Sequence, residues 1–402
     1  MKFKKVVAWA APLAVCFGSM GVHAHQDWRR HYGVKWNTLD GRAPIVIGHR
    51  GTAGRRPEHT LESYRFAIEL GADFVEPDLV VTKDGHLIAR HEPLLDATTD
   101  VAKHPEFAAH RRTRLLDGVV TTGFFTCDFT LAEIKQLRAV QPRADRSHEY
   151  DGLFAIPTLD EIIDLVKRES ARRGRTVGIY PETKHPSFHF ALGLPLEERL
   201  LDVLSRHGLN HEGAPVFIQS FETANLMYLH GRTKIPLVQL IDADDVALDG
   251  SLTYAPPFDK PFNFAVLGDP RGFADLVKPQ GLADIAKYAQ GIGPWKRYIV
   301  SVRGTDANGD GKADDINGDG VVTTADRVTL PPTNLVQLAH RAGLLVHPYT
   351  FRDEDGELAA DYGGDPRDEY VQFFKLGVDG VFSDFADTAV AGRREAANQL
   401  RR

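Results

Sequence analysis

Short apolar segments rich in Val, Ile and Phe recur along the chain, and amphipathic stretches separate them. Such segments are typical of buried strands in a parallel sheet, and the stretches between them of crossover helices. Seven strands are predicted at 44–49, 73–82, 176–184, 215–221, 235–242, 344–351 and 379–385, with an eighth at 291–300. Helices are predicted at 61–68, 159–166, 197–207, 222–230, 333–342 and 367–376.

This alternation fits either an eight-stranded barrel or an open doubly wound sheet. The number of strands favours the (β/α)8 TIM barrel, because an open nucleotide-binding sheet would also carry a glycine fingerprint, which the sequence lacks. A composition of 43% apolar and 26% charged residues is ordinary for a globular protein. We therefore predict an α/β fold, with one TIM-barrel domain over residues 25–402.

Two segments interrupt the alternation. Residues 93–157 carry a basic run at 110–112 and a capped helix at 130–136, and are predicted to form an insertion over one barrel face. Residues 306–326, DANGDGKADDINGDGVVTTAD, are rich in Asp, Asn and Gly. They are predicted to form a second insertion, a calcium-binding loop.

The N-terminus has the pattern of a secretory signal peptide over residues 1–24. Three lysines precede an apolar stretch at 6–15, and small residues follow as far as Ala24. No later segment reaches the ~18 apolar residues that a membrane span requires. A net charge of −7 and the lack of a basic block argue against a nucleic-acid partner. We expect a periplasmic or secreted protein that binds a small molecule.

Three carboxylates are predicted at the ends of neighbouring strands, where a barrel places its reacting groups. Glu76 and Asp78 are two residues apart, so on a strand both point to the same side, and Glu182 ends the third strand. Carboxylates so close repel one another unless a cation or a proton lies between them. Oxygen ligands without cysteine suit Ca²⁺ or Mg²⁺ rather than Zn²⁺. The alternative, salt bridges to arginines on a solvated face, is disfavoured by the apolar neighbours.

Two histidines, His49 in GHRG and His91 in RHEP, are predicted near the same barrel mouth. Imidazoles beside a cation suit phosphoester hydrolysis, in which one group takes a proton from the nucleophile and another protonates the leaving alkoxide. Arg50 and Lys184 are suited to holding the phosphate charge. A histidine at a strand end is otherwise most often structural.

Together the segments IGHRG, RPEHTLESY, GADFVEPDLVVTKDGHLIARHE, IYPETK, IQSF and VHPYTF resemble the glycerophosphodiester phosphodiesterase family, especially its secreted bacterial branch. The resemblance extends from about residue 44 to 388. It implies a TIM barrel that hydrolyses glycerophosphodiesters to glycerol 3-phosphate and an alcohol. It also implies a divalent cation, commonly Ca²⁺ in this branch.

The resemblance assigns roles to individual positions. It makes His49 and His91 the acid/base pair, Arg50 and Lys184 the phosphate contacts, and Glu76, Asp78 and Glu182 the metal ligands. Glu58 matches a Pro-Glu motif and either orients its loop or contacts the metal site. Gln219, Phe221 and Tyr349 are expected either to form pocket walls or to have packing roles.

The 306–326 segment departs from the family pattern. Positions 1, 3, 5, 6 and 12 of a twelve-residue calcium loop are matched by Asp315, Asn317, Asp319, Gly320 and Asp326, with the Val321 carbonyl at position 7. Asp at the last position resembles dockerin loops. Upstream, a second cluster that shares this site or holds another ion comprises Asp306, Asn308, Asp310 and Asp314. The alternative is an acidic surface loop.

The sequence thus favours a metal-dependent phosphodiesterase with two catalytic histidines. One alternative is a phospholipase D or sphingomyelinase relative that acts on lipid, and another is a non-catalytic calcium-dependent binding protein. Which histidine is the acid, whether water or the glycerol 2-hydroxyl attacks, the preferred alcohol and the oligomeric state stay open.

Overall fold

The computed structural model describes residues 33–401. The predicted signal peptide, residues 1–24, lies outside the described residues. Within 33–401, every helix is too short or too polar to cross a membrane.

The described residues form seventeen strands and twelve α-helices. The strands are β1 (Ile45–His49), β2 (Phe74–Glu76), β3 (Asp78–Val81), β4 (Leu87–Ala89), β5 (Arg111–Leu116), β6 (Val119–Phe124), β7 (Gly178–Ile179), β8 (Glu182–Thr183), β9 (Ile218–Ser220), β10 (Leu237–Ile241), β11 (Asp245–Val246), β12 (Leu252–Thr253), β13 (Gly291–Pro294), β14 (Val302–Arg303), β15 (Val328–Thr329), β16 (Leu345–Val346) and β17 (Gly380–Ser383). The helices are α1 (Leu61–Leu70), α2 (Leu131–Ile134), α3 (Leu159–Arg173), α4 (Pro186–Ala191), α5 (Leu196–Arg206), α6 (Thr223–His230), α7 (Phe262–Leu267), α8 (Phe273–Leu276), α9 (Pro279–Ile285), α10 (Leu335–Arg341), α11 (Pro366–Leu376) and α12 (Ala386–Leu400).

Parallel pairing closes a barrel. Two of the barrel strands are each made of two short strands, β2 followed by β3 and β7 followed by β8. In order around the barrel, β1 pairs with β2, β2 with β7 and β3 with β8. Next, β8 pairs with β9, β9 with β10, β10 with β13, and β13 with β16. Pro77 interrupts the β2/β3 strand and Pro181 the β7/β8 strand. β17 pairs with β1, and its Phe382 N–H donates to the Pro348 carbonyl beyond β16 at 3.0 Å. Eight parallel strands therefore form the predicted TIM barrel, and each lies in a segment predicted as a strand.

Two apolar layers hold the barrel. Its interior is filled by the buried residues Ile45, Ile47, Phe74, Tyr180, Phe217, Val238 and Phe382. A larger layer packs the outward faces of the strands against the helices, for example Val46 and Val75 against Tyr64 and Ile68 of α1. This inner and outer alternation follows from the two-residue period of a strand. The polar strand ends are thereby held at one rim.

The helices begin where the sequence predicts. Thr60 caps α1 by accepting a hydrogen bond from Ser63 N, and α3 opens with the predicted capping box of Thr158 and Glu161. The helix predicted at 130–136 is present as α2, also with a capping box. These caps fix the entry of each helix onto the barrel.

The segment 93–157 contains the antiparallel hairpin β5–β6 and helix α2, and its Phe107 and Phe129 pack in a small apolar cluster with Val80 of β3 and Ile88 of β4. Asp117 and Gly118 form the turn of the hairpin, both with positive φ (45° and 83°), as two-residue turns with an Asp-Gly sequence often have. The segment 306–326 connects the antiparallel strands β14 and β15. That either segment is an insertion stays a prediction.

Candidate active site

A pocket of about 410 Å³ opens where the parallel strands end. Its walls include every residue predicted for the site except Glu58: His49, Arg50, Glu76, Asp78, His91, Glu182, Lys184, Gln219, Phe221 and Tyr349. Glu58 lies directly behind, in contact with Arg50. The structure thus brings together residues that are up to 300 positions apart in the chain, from His49 to Tyr349.

Glu76, Asp78 and Glu182 form a buried triad whose ligand oxygen atoms lie within 4.8 Å of one another. Glu76 Oε2 accepts from the Arg50 backbone N–H at 2.7 Å, and its Oε1 from Gln219 Nε2 at 3.0 Å. These bonds aim the Glu76 carboxylate, and the register of β3 with β8 places Asp78 directly beside Glu182.

The triad fits a divalent cation. Asp78 Oδ1 is buried and accepts no hydrogen bond within residues 33–401, an arrangement that is costly unless another group binds there. Burial and then the Asp78 charge raise the pKa of Glu76 well above its usual value. Burial likewise raises the pKa of Glu182 to about 8, against the opposing effect of Lys184. A cation at the centre would remove this mutual repulsion.

His59 orients the triad and was not predicted from the sequence. Its ring is fully buried, and its Nε2 lies 3.0 Å from Asp78 Oδ2 while its Nδ1 lies 2.8 Å from the Tyr64 hydroxyl. Arg90 in turn binds the Glu58 and His59 carbonyls, at 2.8 and 2.9 Å. The motif RPEHT therefore supplies two functional residues: the expected glutamate, Glu58, and a histidine, His59, that orients Asp78.

His49 is held by a carboxylate from the opposite end of the chain. Its Nδ1 lies 2.6 Å from Asp384 Oδ1, and its Nε2 accepts from Arg50 Nε at 3.3 Å. This network assigns the proton to Nδ1, so Nε2 carries the lone pair that accepts from Arg50 beside the pocket. Burial, then Arg50, lowers the pKa of His49 despite Asp384. His49 is therefore a neutral imidazole in the resting site.

Arg50 stands between the triad and the outer pocket. Its Nη1 donates to Glu58 Oε2 at 2.9 Å, and its Nε lies 3.7 Å from Asp78 Oδ2. Burial opposes the charged form, but Glu58 and Asp78 raise the pKa of Arg50 further above its usual value. Glu58 therefore contacts Arg50, and the two roles expected for it, orienting its loop or contacting the metal site, stay predictions.

The turn after β1 is tight. Gly51 has a φ of +95°, and a Cβ at this position would lie 2.4 Å from Ser63 Oγ, so no other residue fits.

His91 and Lys184 lie together on the other wall. Lys184 Nζ is 3.4 Å from His91 Nε2, 3.1 Å from Glu182 Oε1 and 5.4 Å from the centre of the Phe221 ring. Burial, then the Arg50 and Lys184 cations, lowers the pKa of His91 to about 4. His91 Nδ1 lies 2.9 Å from Glu92 Oε1.

The predicted pocket walls divide by contact. Phe221 and Tyr349 pack edge to face, with ring centres 6.1 Å apart, and both line the pocket. Gln219 is buried and donates a hydrogen bond to Glu76, so it orients the triad in addition to lining the pocket.

The 306–326 loop contributes nothing to the pocket lining. Asp315 accepts from the Gly318 and Gly320 N–H groups at 2.7 and 2.8 Å, and the buried Asp326 from those of Ile316 and Asn317 at 3.0 and 3.3 Å. Within residues 33–401, only the active-site triad brings three carboxylate, His or Cys ligand atoms together.

A sequence model of the glycerophosphoryl diester phosphodiesterase family matches residues 49–388. The chain belongs to this family. It is 39% identical over 365 residues to glycerophosphodiester phosphodiesterase GDPD6 of Arabidopsis thaliana, which covers 86% of this chain and 85% of the relative. It is 30% identical over 372 residues to glycerophosphodiester phosphodiesterase of Haemophilus influenzae, with 88% and 91% covered.

Solved structures support the fold. A glycerophosphoryl diester phosphodiesterase structure from Silicibacter pomeroyi superposes with a TM-score of 0.56 at 20% identity, covering 90% of this chain and 98% of the other. A phosphodiesterase from Oleispira antarctica, solved with its product sn-glycerol-3-phosphate, gives a TM-score of 0.53 at 18% identity, covering 87% and 96%.

The family identifies the chain as an enzyme, a glycerophosphodiester phosphodiesterase. A purely calcium-binding protein and a sphingomyelinase-like lipid enzyme are therefore not favoured. The narrower resemblance to a secreted bacterial branch is not supported, since the relative at 39% identity is a plant protein.

Sequence reasoning missed His59, Asp384 and Glu92, which contact predicted residues, and His185 and Asp117, which follow Glu92 in a chain of contacts. His59 stands inside a motif that had been recognised, so a signal for it was present. Asp384 lies near the end of the last predicted strand, 379–385, and its polar character there was the available signal. No local pattern marks Asp117 or His185, whose partners are set by the tertiary fold.

Proposed function

We propose that the protein hydrolyses glycerophosphodiesters to glycerol 3-phosphate and an alcohol, with a divalent cation and two histidines acting as base and acid. The observation that carries this proposal is the meeting of two imidazoles, two cationic side chains and three carboxylates on one pocket. Relatives named for this activity, and a fold neighbour solved with sn-glycerol-3-phosphate, support it.

Glu76, Asp78 and Glu182 would hold the cation. When bound, a divalent cation supplies positive charge to the phosphate oxygens as negative charge develops on them. Arg50 and Lys184 bind the same anion from two sides, since both side chains line the pocket. The set of oxygen ligands in the triad suits Ca²⁺, with Mg²⁺ as the other candidate.

His49 is proposed as the base. Asp384 holds its Nδ1–H, so the lone pair on Nε2 takes the proton of the nucleophile, water or the glycerol 2-hydroxyl, as the oxygen of that nucleophile bonds to phosphorus. The bond between phosphorus and the alcohol oxygen then breaks, and that oxygen takes a proton from His91 Nε2. If the 2-hydroxyl attacks, water then opens the cyclic phosphodiester. One water is consumed for each diester cleaved.

His91 is suited to the acid role by its surroundings. Burial, and then Arg50 and Lys184, lowers its pKa in the resting site. A bound anionic diester offsets both charges and so raises the pKa of His91, which favours the protonated ring that an acid requires.

The decisive assay measures release of glycerol 3-phosphate from glycerophosphocholine, glycerophosphoethanolamine and glycerophosphoinositol, with Ca²⁺, with Mg²⁺ and after chelation. We expect turnover that chelation abolishes and the cation restores. Activity that survives exhaustive chelation would refute metal dependence, and cleavage of sphingomyelin in preference to these diesters would refute the substrate class.

We also propose that the 306–326 loop binds Ca²⁺ as a structural site. Support comes from the spacing of Asp315, Asn317, Asp319 and Asp326, with the Val321 carbonyl, and from the cluster of Asp306, Asn308, Asp310 and Asp314. Calorimetry should find more than one Ca²⁺ per chain; a single ion that is lost on triad mutation would contradict the proposal.

Residues 1–24 are proposed to direct export to the periplasm or the medium. N-terminal sequencing of the protein isolated from cell fractions tests this, and an intact N-terminus on cytoplasmic protein would contradict it.

A further inference from the structure

A chain of polar contacts extends from His91 away from the pocket. Its Nδ1 lies 2.9 Å from Glu92 Oε1, and Glu92 Oε2 lies 2.9 Å from His185 Nε2. His185 Nδ1 in turn lies 2.7 Å from Asp117 Oδ2. We call this series of contacts, from His91 through Glu92 and His185 to Asp117, the relay. It links the proposed acid to the turn of the β5–β6 hairpin.

The position of His185 between two carboxylates fixes the direction of every bond. Both ring nitrogens have a carboxylate oxygen as partner, so both must donate, and His185 is an imidazolium. In agreement, its hydrogen bonds to Asp117 and Glu92 outweigh burial and raise the pKa of His185 to about 10. The neighbouring Glu222 and His189 are the other titratable groups that face it.

Glu92 stays ionised, because burial, which would raise its pKa, is outweighed by the hydrogen bonds and charges of His185 and His91. An ionised carboxylate only accepts, so His91 must present Nδ1–H to it. His91 Nε2 is then directed at Lys184 and the pocket. A proton carried on Nε2 would therefore point at the bound diester.

We propose that His185 and Asp117 are positioning residues that act through Glu92 to fix the tautomer and the orientation of His91 as the acid. The β5–β6 hairpin thereby belongs to the catalytic apparatus through its turn residue. This inference rests on the acid role proposed for His91.

The test compares two leaving groups, because a general acid matters for a poor leaving group and hardly for a good one. Kinetics are measured at saturating divalent cation with glycerophosphocholine and with the 4-nitrophenyl diester of glycerol 3-phosphate. For Asp117→Asn and His185→Gln, we expect kcat on glycerophosphocholine to fall at least about tenfold, as for other orienting partners of histidines. On the nitrophenyl diester, kcat should change less than about threefold, since nitrophenolate leaves without a proton.

The matched control is Asp128→Asn. Asp128 binds Arg114 of the same hairpin, at 2.5 Å, without joining the relay. We expect wild-type kinetics on both substrates, and melting temperatures should show that all variants fold. Equal losses on both substrates in the Asp117 and His185 variants, or no loss, would overturn the inference.

His91→Gln separates this inference from the proposed function. If His91→Gln lowers kcat on glycerophosphocholine much more than on the nitrophenyl diester, and Asp117→Asn and His185→Gln do not, only the relay is wrong. If it lowers both rates equally, the acid role itself is wrong and the inference falls with it.

The pH profile gives a second measurement. Burial lowers the pKa of His91 most, followed by Arg50 and Lys184, whereas Glu92 raises it. Glu58 and Asp78 are the other charged groups that interact with this ring. Glu92→Gln removes the anion, so the pKa of His91 falls, and the limb on which kcat declines with rising pH should move to lower pH. A shift to higher pH, or none, would contradict the relay.

Discussion

Replacing Asp384 by Asn tests the base assignment most directly. Asp384 Oδ1 lies 2.6 Å from His49 Nδ1, while its Oδ2 accepts from Arg146 Nη2 at 2.6 Å and from Arg352 Nε at 3.2 Å. Burial would raise the pKa of Asp384, but His49 and Arg146 lower it well below its usual value. The carboxylate is therefore charged when His49 takes up a proton.

The expected loss follows from this geometry. When His49 becomes an imidazolium, its charge lies about 4 Å from the carboxylate, and two such charges attract by about 4 kcal/mol at an effective dielectric constant near 20. Proton transfer is incomplete in the transition state, and Arg146 and Arg352 already offset part of the charge. About half of this energy remains, about 2 kcal/mol, which corresponds to a roughly 30-fold lower kcat. Loss of the correct tautomer adds to this.

The assay couples glycerol 3-phosphate release to its dehydrogenase across pH. Asp384 raises the pKa of His49, so its removal lowers that pKa, and the limb on which activity falls with decreasing pH should move to lower pH. Asp387→Asn is the matched control, since Asp387 pairs with the surface residue Arg55. An unchanged kcat in Asp384→Asn, or a limb displaced to higher pH, would refute the role of Asp384 and, with it, His49 as base.

Four further outcomes are expected. Glu182→Ala should abolish turnover with little change in fold, measured by activity and circular dichroism, while the exposed Glu149→Ala should not; an active Glu182 variant would contradict the triad. His49→Ala and His91→Ala should each lower kcat at least ~10²-fold, and near-normal kcat would return that histidine to a structural role. Cation affinity should rise as pH increases toward 8, because burial raises the pKa of Glu182 to about 8 and its proton must leave before it binds; calorimetry in two buffers should detect proton release on binding. An Asp315→Ala/Asp319→Ala variant should keep its activity at saturating Ca²⁺ and lose part of the Ca²⁺-dependent rise in melting temperature; an unchanged rise would argue against the loop site.

Much of the fold could be predicted because its signals are local. A strand buried on both faces has a continuous run of apolar residues. A helix has capping residues and a periodic spacing of apolar residues that are both visible within a short stretch of sequence. The pairing of Glu76 and Asp78 could also be predicted locally, because residues two positions apart on a strand point to the same side wherever the strand lies. His49, Arg50 and Lys184 were found because a parallel barrel gathers its strand ends at one rim.

The partners of these residues were decided only by the tertiary structure. His49 and Asp384 are 335 positions apart, and closing β17 onto β1 is what brings them to 2.6 Å. Asp117 reaches His185 across 68 positions because the hairpin turn lies against the loop after β8. A sequence pattern records which residues are polar, whereas the partner of a charge depends on which strands become neighbours and in which register. The local sequence thus determines which side chains can react, and the closed barrel determines their protonation and orientation.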